Sequence, residues 1–256
     1  MLLRENLRAT NSITKYPSIP TYHALGERGR LTDEVLVPFR AGPLFASEKI
    51  DGTNARIICH RGDYLIGSRE ELLHARGDCI WNPSMGVVNA VCGTDERVAH
   101  HTRNESDVVI VYGEVYGGKV TAASKQYTSS GAMGFRVFDV ATFTEDEFSA
   151  MLTWEPARIA EWRDGGGQRF MDGVGLNRFA ALAELELVPA VAVLESLPAD
   201  RSEVLALLRS ALNETRAGLD AKGRPEGLVV RTEDRKQIAK LRFEDYERGQ
   251  KQTRTN

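Results

Sequence analysis

The chain has 256 residues, a net charge of −3, 42% hydrophobic residues and 27% charged residues. This size suits one large or two small domains of ordinary globular composition. The near-neutral charge excludes a protein that is cationic over its whole surface, although it allows a local basic groove. Three cysteines without a C-x-x-C pair favour reduced thiols and a cytoplasmic location. The apolar runs fall short of the roughly 20 residues of a membrane helix, so no membrane partner is expected.

Residues 1–43 are mixed and rich in turn signals, and we expect them to lie along the edge of the domain. From residue 44 the pattern is typical of strands, with a hairpin that turns near Arg61 and Gly62. The predicted strands cover residues 53–59, 63–68, 108–116, 135–143, 188–194, 227–231 and 237–243. The predicted helices cover residues 145–152, 155–163, 179–187 and 202–212, the last with Ser202 as its N-cap. Without a regular β-α-β rhythm, these elements predict an α+β fold with largely antiparallel sheets flanked by helices.

The most informative stretch is residues 48–54, which read E-K-I-D-G-T-N. Lys49 suits a nucleophile that attacks a nucleotide phosphate, provided that burial and nearby cations lower its pKa from about 10.4. Gly52 lets the backbone turn closely beneath a ligand. Taken alone, K-x-D-G more often marks a surface lysine before an Asp-Gly turn. Its meaning therefore depends on the motifs that follow.

Two motifs lie near predicted strand ends. Arg69 could hold a phosphate through two parallel hydrogen bonds, although a solvated arginine is the better interpretation of this residue alone. Glu114 lies between glycines in Y-G-E-V-Y-G, where its carboxylate could accept from ribose hydroxyls or bind a metal. Residues 113–120 also approach a P-loop pattern, but Val120 lacks the hydroxyl that binds the metal there.

The stretch F-R-V-F-D-V at residues 135–140 has a period of two. Strict alternation puts Arg136 and Phe138 on one strand face and Val137 and Asp139 on the other. Phe138 could stack on a purine, although a core phenylalanine is the better interpretation of this residue alone.

The last two motifs carry charges on predicted strands. Glu226 opens the apolar strand 227–231, an expensive place for a charge unless it has a partner such as a divalent cation. Lys240 and Arg242 share one face of the final strand, where two cations can grip a triphosphate and lower the pKa of Lys49. The alternative is a basic pair that protects an edge strand from aggregation.

In this order, the six motifs resemble those of the covalent nucleotidyltransferase superfamily of ATP-dependent ligases and capping enzymes. The E-K-I-x-G-T-N form of the first motif favours the RNA ligase branch that is like T4 RNA ligase 2. The G-E-x-x-G motif and the Phe138-Asp139 pair favour the same branch. The resemblance covers roughly residues 44–245, so it includes most of the chain.

The resemblance implies an adenylation domain around a nucleotide pocket, with ATP and Mg²⁺ or Mn²⁺ as cofactors. It also implies a three-step reaction in which Lys49 becomes lysyl-AMP, AMP passes to a 5′-phosphate RNA end, and a 3′-hydroxyl displaces it. The implied catalytic residues are Lys49, Lys240 and Arg242. The implied cofactor-binding residues are Glu48, Ile50, Asn54, Arg69, Glu114, Phe138, Glu226, Lys240 and Arg242, with Glu226 and Glu114 as metal ligands.

Two departures from the family pattern stand out. The last motif usually ends in a second lysine, where this chain has Arg242, and no separate C-terminal domain is expected. We therefore treat 1–256 as a single nucleotidyltransferase domain, with an edge segment 1–43, a motif-bearing core 44–245 and a polar basic tail 246–256. An accessory protein could supply further nucleic-acid contacts.

RNA repair is the expected role. The alternatives are a DNA ligase, a GTP-using capping-type nucleotidyltransferase, or a non-catalytic module that binds nucleotides or RNA ends.

Overall fold

The computed structural model describes residues 1–80 and 86–250. Its strands are β1 (His23–Leu25), β2 (Leu31–Val35), β3 (Leu44–Lys49), β4 (Thr53–His60), β5 (Asp63–Ser68), β6 (Leu72–Ala75), β7 (Asp78–Cys79), β8 (Val108–Gly117), β9 (Met133–Phe143), β10 (Ala190–Leu194), β11 (Gly227–Thr232) and β12 (Ile238–Arg242). Its α-helices are α1 (Leu7–Ile13), α2 (Val87–Val91), α3 (Thr94–His101), α4 (Glu145–Met151), α5 (Pro156–Asp164), α6 (Gly173–Leu182), α7 (Arg201–Ala211) and α8 (Phe243–Gln250). Neighbouring named strands all pair antiparallel, which confirms the predicted fold class. None of the described helices is long and apolar enough to cross a membrane.

The chain divides into two compact units, each assembled from three separate stretches. Unit 1 consists of Met1–Ser18, Gly52–Ala122 and Met133–Leu187. Unit 2 consists of Ile19–Asp51, Ala123–Ala132 and the chain from Val188 onward. The assignment of one domain and its internal boundaries stays a prediction.

Unit 1 is built on a six-stranded sheet in the order β7-β6-β5-β4-β8-β9. Helices α2, α3 and α6 supply apolar side chains to the core on one face of this sheet. Helices α1, α4 and α5 supply those on the other. Ile57 and Ile58 are both fully buried, one in each core. Since both faces are covered, the central strands β4 and β8 carry nearly continuous apolar runs rather than a strict alternation.

The hairpin between β4 and β5 confirms the prediction for this part of the chain. Its turn places Arg61 at a φ of 49° and Gly62 at 80°. Two consecutive positive φ angles match the right-handed twist of the flanking strands. The P-loop alternative is excluded, because Gly113 and Gly117 both lie within β8 rather than in a phosphate-binding loop.

Unit 2 is built on a four-stranded sheet in the order β10-β3-β11-β12, with the separate ribbon β1-β2. One face of the sheet buries Leu228 and Leu241 against α7, which contributes Val204, Leu205 and Leu208. The side chain of Asp200 caps α7 by accepting from the amides of Ser202 and Glu203. The N-cap is therefore Asp200 and not Ser202 as predicted, because the Asp200 carboxylate accepts the hydrogen bonds from the first free amides of the helix.

Three segments contain structure that the sequence did not predict. Segment 1–43 contains α1, capped by Asn6, and contributes the fully buried Leu3 and Ile13 to the unit 1 core, while its description as an edge segment stays a prediction. The helix predicted at 179–187 corresponds to α6 (Gly173–Leu182), which begins six residues earlier, where the Asp172 side chain caps it, and ends five residues earlier. The predicted tail 246–256 begins within α8, and its residues 251–256 lie outside the described part of the chain.

A β-bulge interrupts β9 at the predicted aromatic motif. Tyr112 pairs with Asp139 and Gly113 pairs with Val137, so Phe138 is the extra residue. The prediction that Phe138 and Asp139 face opposite sides is therefore wrong, because a bulge resets the alternation. Both contact Tyr16: the Phe138 and Tyr16 ring centroids are 4.9 Å apart, and the Tyr16 hydroxyl lies 2.5 Å from Asp139 Oδ2.

Candidate active site

Three cations share one face of the unit 2 sheet. Gly227 of β11 lies directly opposite Lys49 of β3 and directly opposite Arg242 of β12. Lys240 lies in the next row, opposite Val229. Residues that are directly opposite each other point to the same face. The shared face predicted for Lys240 and Arg242 is confirmed, and the same register adds Lys49 to it.

Glycine is the only residue type that fits at position 227, between Lys49 and Arg242. A Cβ atom added there would lie 2.0 Å from the carbonyl oxygen of Leu241. The glycine therefore lets β11 and β12 approach closely and leaves no side chain between Lys49 and Arg242. The result is a cationic surface on which the backbone pairing sets the spacing of Lys49 and Arg242.

Glu226 supplies the negative charge beside these cations. Its Oε2 lies 2.6 Å from Lys49 Nζ, and the two side chains are only 19% and 25% exposed. Burial raises the pKa of Glu226, and the neighbouring Lys49 opposes this shift. The expectation that this carboxylate needs a partner is met within the chain by Lys49.

Lys240 and Arg242 have different electrostatic environments. Burial lowers the pKa of Lys240, and the positive charges of Arg242 and Lys49 lower it further. Arg242 instead donates to a nearly buried carboxylate, through Nε to Asp245 Oδ2 at 2.7 Å and through Nη2 to Oδ1 at 2.9 Å. Sequence analysis did not identify Asp245; its position three residues after Arg242 was the available signal.

Glu48 points away from the Lys49 face and into the protein. Its carboxylate accepts from the Thr215 hydroxyl at 2.5 Å and from the amides of Arg216 and Ala217 at 2.8 and 3.0 Å. Burial raises the pKa of Glu48, and these hydrogen bonds act against the rise. The carboxylate thus holds the loop at 215–217 against β3. The nucleotide contacts predicted for Glu48 and for the buried Ile50 stay predictions.

Tyr127 fixes the backbone just after β3. Its buried hydroxyl accepts from the Asp51 amide at 2.8 Å, and its carbonyl accepts from the Leu219 amide at 2.8 Å. Lys49 is therefore flanked by two anchored neighbours, Glu48 and Asp51. Tyr127 was missed from the sequence because its partner lies 76 positions away along the chain.

Unit 1 arranges the other predicted residues on its own sheet. Asn54, Glu114 and Arg136 lie opposite one another in a single row across β4, β8 and β9. The Oδ1 atom of Asn54 is buried and has no hydrogen-bond partner among the described residues. A buried acceptor of this kind is costly unless a donor completes it. A hydroxyl group of a ligand or a water molecule would supply such a donor.

Arg69 and Phe138 also belong to unit 1. The Arg69 side chain is 61% exposed and donates through Nη2 to Ser18 Oγ at 3.1 Å. Beneath it, the fully buried Arg56 donates to the carbonyls of Ser68 and Arg69 at 2.7 and 3.2 Å. Burial lowers the pKa of Arg56 to about 10. Sequence analysis missed Arg56, which fixes the backbone that presents Arg69.

The structure thus brings together Lys49, Glu226, Lys240 and Arg242 in unit 2, and sets Asn54 beside Glu114 in unit 1. The described residues contain no group of three or more His, Cys, Asp or Glu side chains that could hold a metal ion alone. Mg²⁺ and related ions usually bind through one or two carboxylates together with substrate phosphates. Glu226 fits such a shared ligand, and the predicted metal contacts of Glu226 and Glu114 stay predictions.

The sequence matches the RNA ligase family over residues 42–242, so the chain belongs to this family and the resemblance is confirmed. No curated protein matches the sequence. The fold is similar to that of Naegleria gruberi RNA ligase. A variant solved with ATP and Mn matches with a TM-score of 0.58 and 13% identity, over 94% of this chain and 62% of that chain.

Two further structures of the same ligase support this likeness. A variant solved with AMP and Mn matches with a TM-score of 0.57 and 14% identity, over 94% of this chain and 62% of that chain. The ligase solved with PPi matches with the same score and identity, over 93% and 62%. At such identities the likeness establishes the shared fold alone, and this chain spans about three-fifths of the length of these neighbours.

Proposed function

We propose that this protein is an ATP-dependent RNA ligase that joins 5′-phosphate and 3′-hydroxyl ends through a lysyl-AMP intermediate on Lys49. The observation that carries the proposal is the cluster in unit 2, where Lys49 pairs with Glu226 on the face that also holds Lys240 and Arg242. Membership of the RNA ligase family and the fold shared with a ligase solved with ATP, AMP or PPi support it.

In the first step, the Lys49 amine attacks the α-phosphorus of ATP. An N–P bond forms, the P–O bond to the β-phosphate breaks, and pyrophosphate leaves with the bonding electrons. Lys49 must first lose a proton, and Glu226 Oε2 at 2.6 Å is placed to accept it. Burial raises the pKa of Glu226, which makes its carboxylate a better acceptor. Lys240 and Arg242 stabilise the charge that develops on the phosphate.

In the second step, an oxygen of the RNA 5′-phosphate attacks the lysine-bound phosphorus and the N–P bond breaks, so that Lys49 leaves as an amine and regains a proton. In the third step, the 3′-hydroxyl oxygen attacks the 5′-phosphate, loses its proton, and AMP leaves. We assign 5′-end or phosphate contacts to Arg69 and Asn54, a ribose contact to Glu114 and base stacking to Phe138. Glu48 and Ile50 are proposed to lie near the adenine.

A divalent ion that enters with the triphosphate would draw negative charge from the phosphates. Its proposed protein ligands are Glu114 and Glu226, the latter only while its carboxylate does not carry the Lys49 proton. RNA repair in the cytoplasm is the setting we expect for this activity.

The proposal is tested by incubating the protein with ATP labelled at the α-phosphate and with Mg²⁺ or Mn²⁺. We expect a covalent adduct whose mass and peptide map locate AMP on Lys49, and no adduct on Lys49→Ala. An unlabelled wild-type protein, or equal labelling of Lys49→Ala, would contradict the proposal. Labelling from GTP would favour a capping-type enzyme, and sealing of DNA nicks rather than RNA nicks would favour a DNA ligase. Reversible ATP binding without pyrophosphate release would favour a non-catalytic binding module.

A further inference from the structure

The last motif of this chain ends in arginine where the resemblance leads us to expect a second lysine. In the structure, Asp245 is a partner that suits an arginine at position 242 better than a lysine. Arg242 at the end of β12 makes two parallel hydrogen bonds to Asp245 in the first turn of α8, at 2.7 and 2.9 Å. The Asp245 side chain is only 2% exposed and that of Arg242 is 33% exposed, so the carboxylate is removed from water while the guanidinium stays accessible.

These two hydrogen bonds use a property that lysine lacks. A guanidinium carries five N–H groups in a planar fork, and a carboxylate can bind two of them side by side. The remaining N–H groups then keep a fixed direction. A lysine ammonium is a single rotating point on a flexible stem, so it cannot hold Asp245 in this way and also present a donor in a defined direction.

The position of the pair connects it with the reacting groups. Arg242 lies in the same row as Lys49, with only Gly227 between them. Lys240 lies one row away on the same face. In the described residues around this face, Glu226 pairs with Lys49, whereas Asp245 pairs with Arg242. Each carboxylate therefore holds a different cation.

We propose that Asp245 is a positioning residue that orients Arg242 toward the transferred phosphate, and that Arg242 and Asp245 together replace the second lysine of the family motif. The inference rests on the proposed adenylyl transfer at Lys49. It implies that Arg242→Lys, although it creates the usual family residue, weakens the reaction. The new lysine would be drawn to the buried carboxylate and away from the phosphate. Removing that carboxylate as well should release it.

The test compares wild type, Arg242→Lys, Asp245→Asn and the double variant in single-turnover adenylylation across ATP concentrations. We expect each single variant to lower the maximal rate about 10- to 100-fold, the range for losing a charged hydrogen bond. The ATP concentration at half-maximal rate should change by less than about three-fold, because an interaction made in the transition state affects rate more than binding. The double variant should react about ten-fold faster than Arg242→Lys.

Glu247→Gln is the matched control. It makes the same carboxylate-to-amide change on α8, at a residue that pairs with the exposed Arg224 at 2.6 Å, and its rate should equal that of wild type. Thermal unfolding of every variant checks the fold. Because the double variant also contains Asp245→Asn, any loss of α8 stability from that change is present in it too. A faster rate than that of Arg242→Lys therefore cannot come from a more stable helix.

Two outcomes would overturn the inference while leaving the proposed function intact. In one, Arg242→Lys labels Lys49 as fast as wild type. In the other, the losses in the two single variants multiply in the double variant, which shows that the residues act independently. If Asp245→Asn does not fold, the rate of Arg242→Lys decides alone. A wild-type protein without an adduct on Lys49 would instead reject the proposed function itself.

Discussion

The two units hold the cations discussed above in different ways. In unit 2, two cations are paired with carboxylates: Lys49 with Glu226, and Arg242 with Asp245. In unit 1, the buried cation Arg56 is held by carbonyl oxygens and Asn11. Ion pairs can exchange partners when a charged ligand arrives, whereas carbonyl contacts hold a backbone in place. The comparison indicates that the unit 2 face is suited to phosphate chemistry and the unit 1 face to presenting side chains rigidly.

The largest effect is expected from replacing Glu226, the proposed proton acceptor beside Lys49. Glu226→Gln keeps the shape but loses the proton acceptor, so we expect adenylylation to fall about 10²- to 10⁴-fold, the usual contribution of acid–base catalysis. Thermal unfolding of the variant checks that the fold is retained. Single-turnover labelling measures the rate. Glu214→Gln, at an exposed partner of Lys222, is the control and should match wild type.

In unit 1 the corresponding change should affect stability. Arg56→Ala removes a fully buried side chain and the donor to the carbonyls of Ser68 and Arg69, so we expect a loss of roughly 2–5 kcal/mol in the free energy of unfolding. Urea unfolding measures this difference. Arg61→Ala removes an exposed pair with Glu145 and should cost less than about 1 kcal/mol. Equal losses in both variants would show that the contacts of the buried Arg56 contribute no more to stability than an exposed ion pair.

Tyr16→Phe tests how firmly the bulge at Phe138 is held. The variant removes the 2.5 Å hydrogen bond to the nearly buried Asp139, and we expect a loss of about 1–2 kcal/mol in the free energy of unfolding. Tyr22→Phe in unit 2 removes a longer contact of 3.4 Å to the Leu197 carbonyl, and its effect should be smaller. Similar losses in the two variants would show that the Tyr16 hydrogen bond contributes no more to stability than the longer Tyr22 contact.

The smallest expected effect concerns alkaline pH. The pKa of Lys240 lies below its ordinary value of 10.5, so this ammonium loses its proton, and its hold on phosphate, at a lower pH than an ordinary lysine. Binding of a non-hydrolysable ATP analogue should therefore weaken as the pH rises toward 10.5. In Lys240→Arg the charge persists, and binding should decline less. Calorimetry at a series of pH values measures the difference, and parallel profiles would contradict it.

The sequence predicted the unit 2 face well because its register is unbroken. From β3 to β12 the pairing has no shift, so buried Ala239 and Leu241 alternate with Lys240 and Arg242 as period two requires. In unit 1 the same rule failed at Phe138, because a bulge depends on the partner strand and leaves no mark in one segment alone.

The supporting residues were harder to predict for a different reason. Tyr127, Arg56 and Asp245 perform their roles through contacts that local patterns do not reveal. The partner of Tyr127 is a backbone amide, which any residue could offer. Motifs therefore led to the proposed reacting groups, whereas the residues that support them became visible only in the fold.

The pairing of β3 has a consequence for the growing chain on the ribosome. Both strands beside β3, β10 and β11, are made after it. Glu226 follows Lys49 by 177 residues, a delay of roughly 10 to 35 s at the usual pace of translation. A polypeptide that stops before β11 carries Lys49 without Glu226, its proposed proton acceptor. Under the proposed function, such chains should therefore be unable to form the AMP adduct.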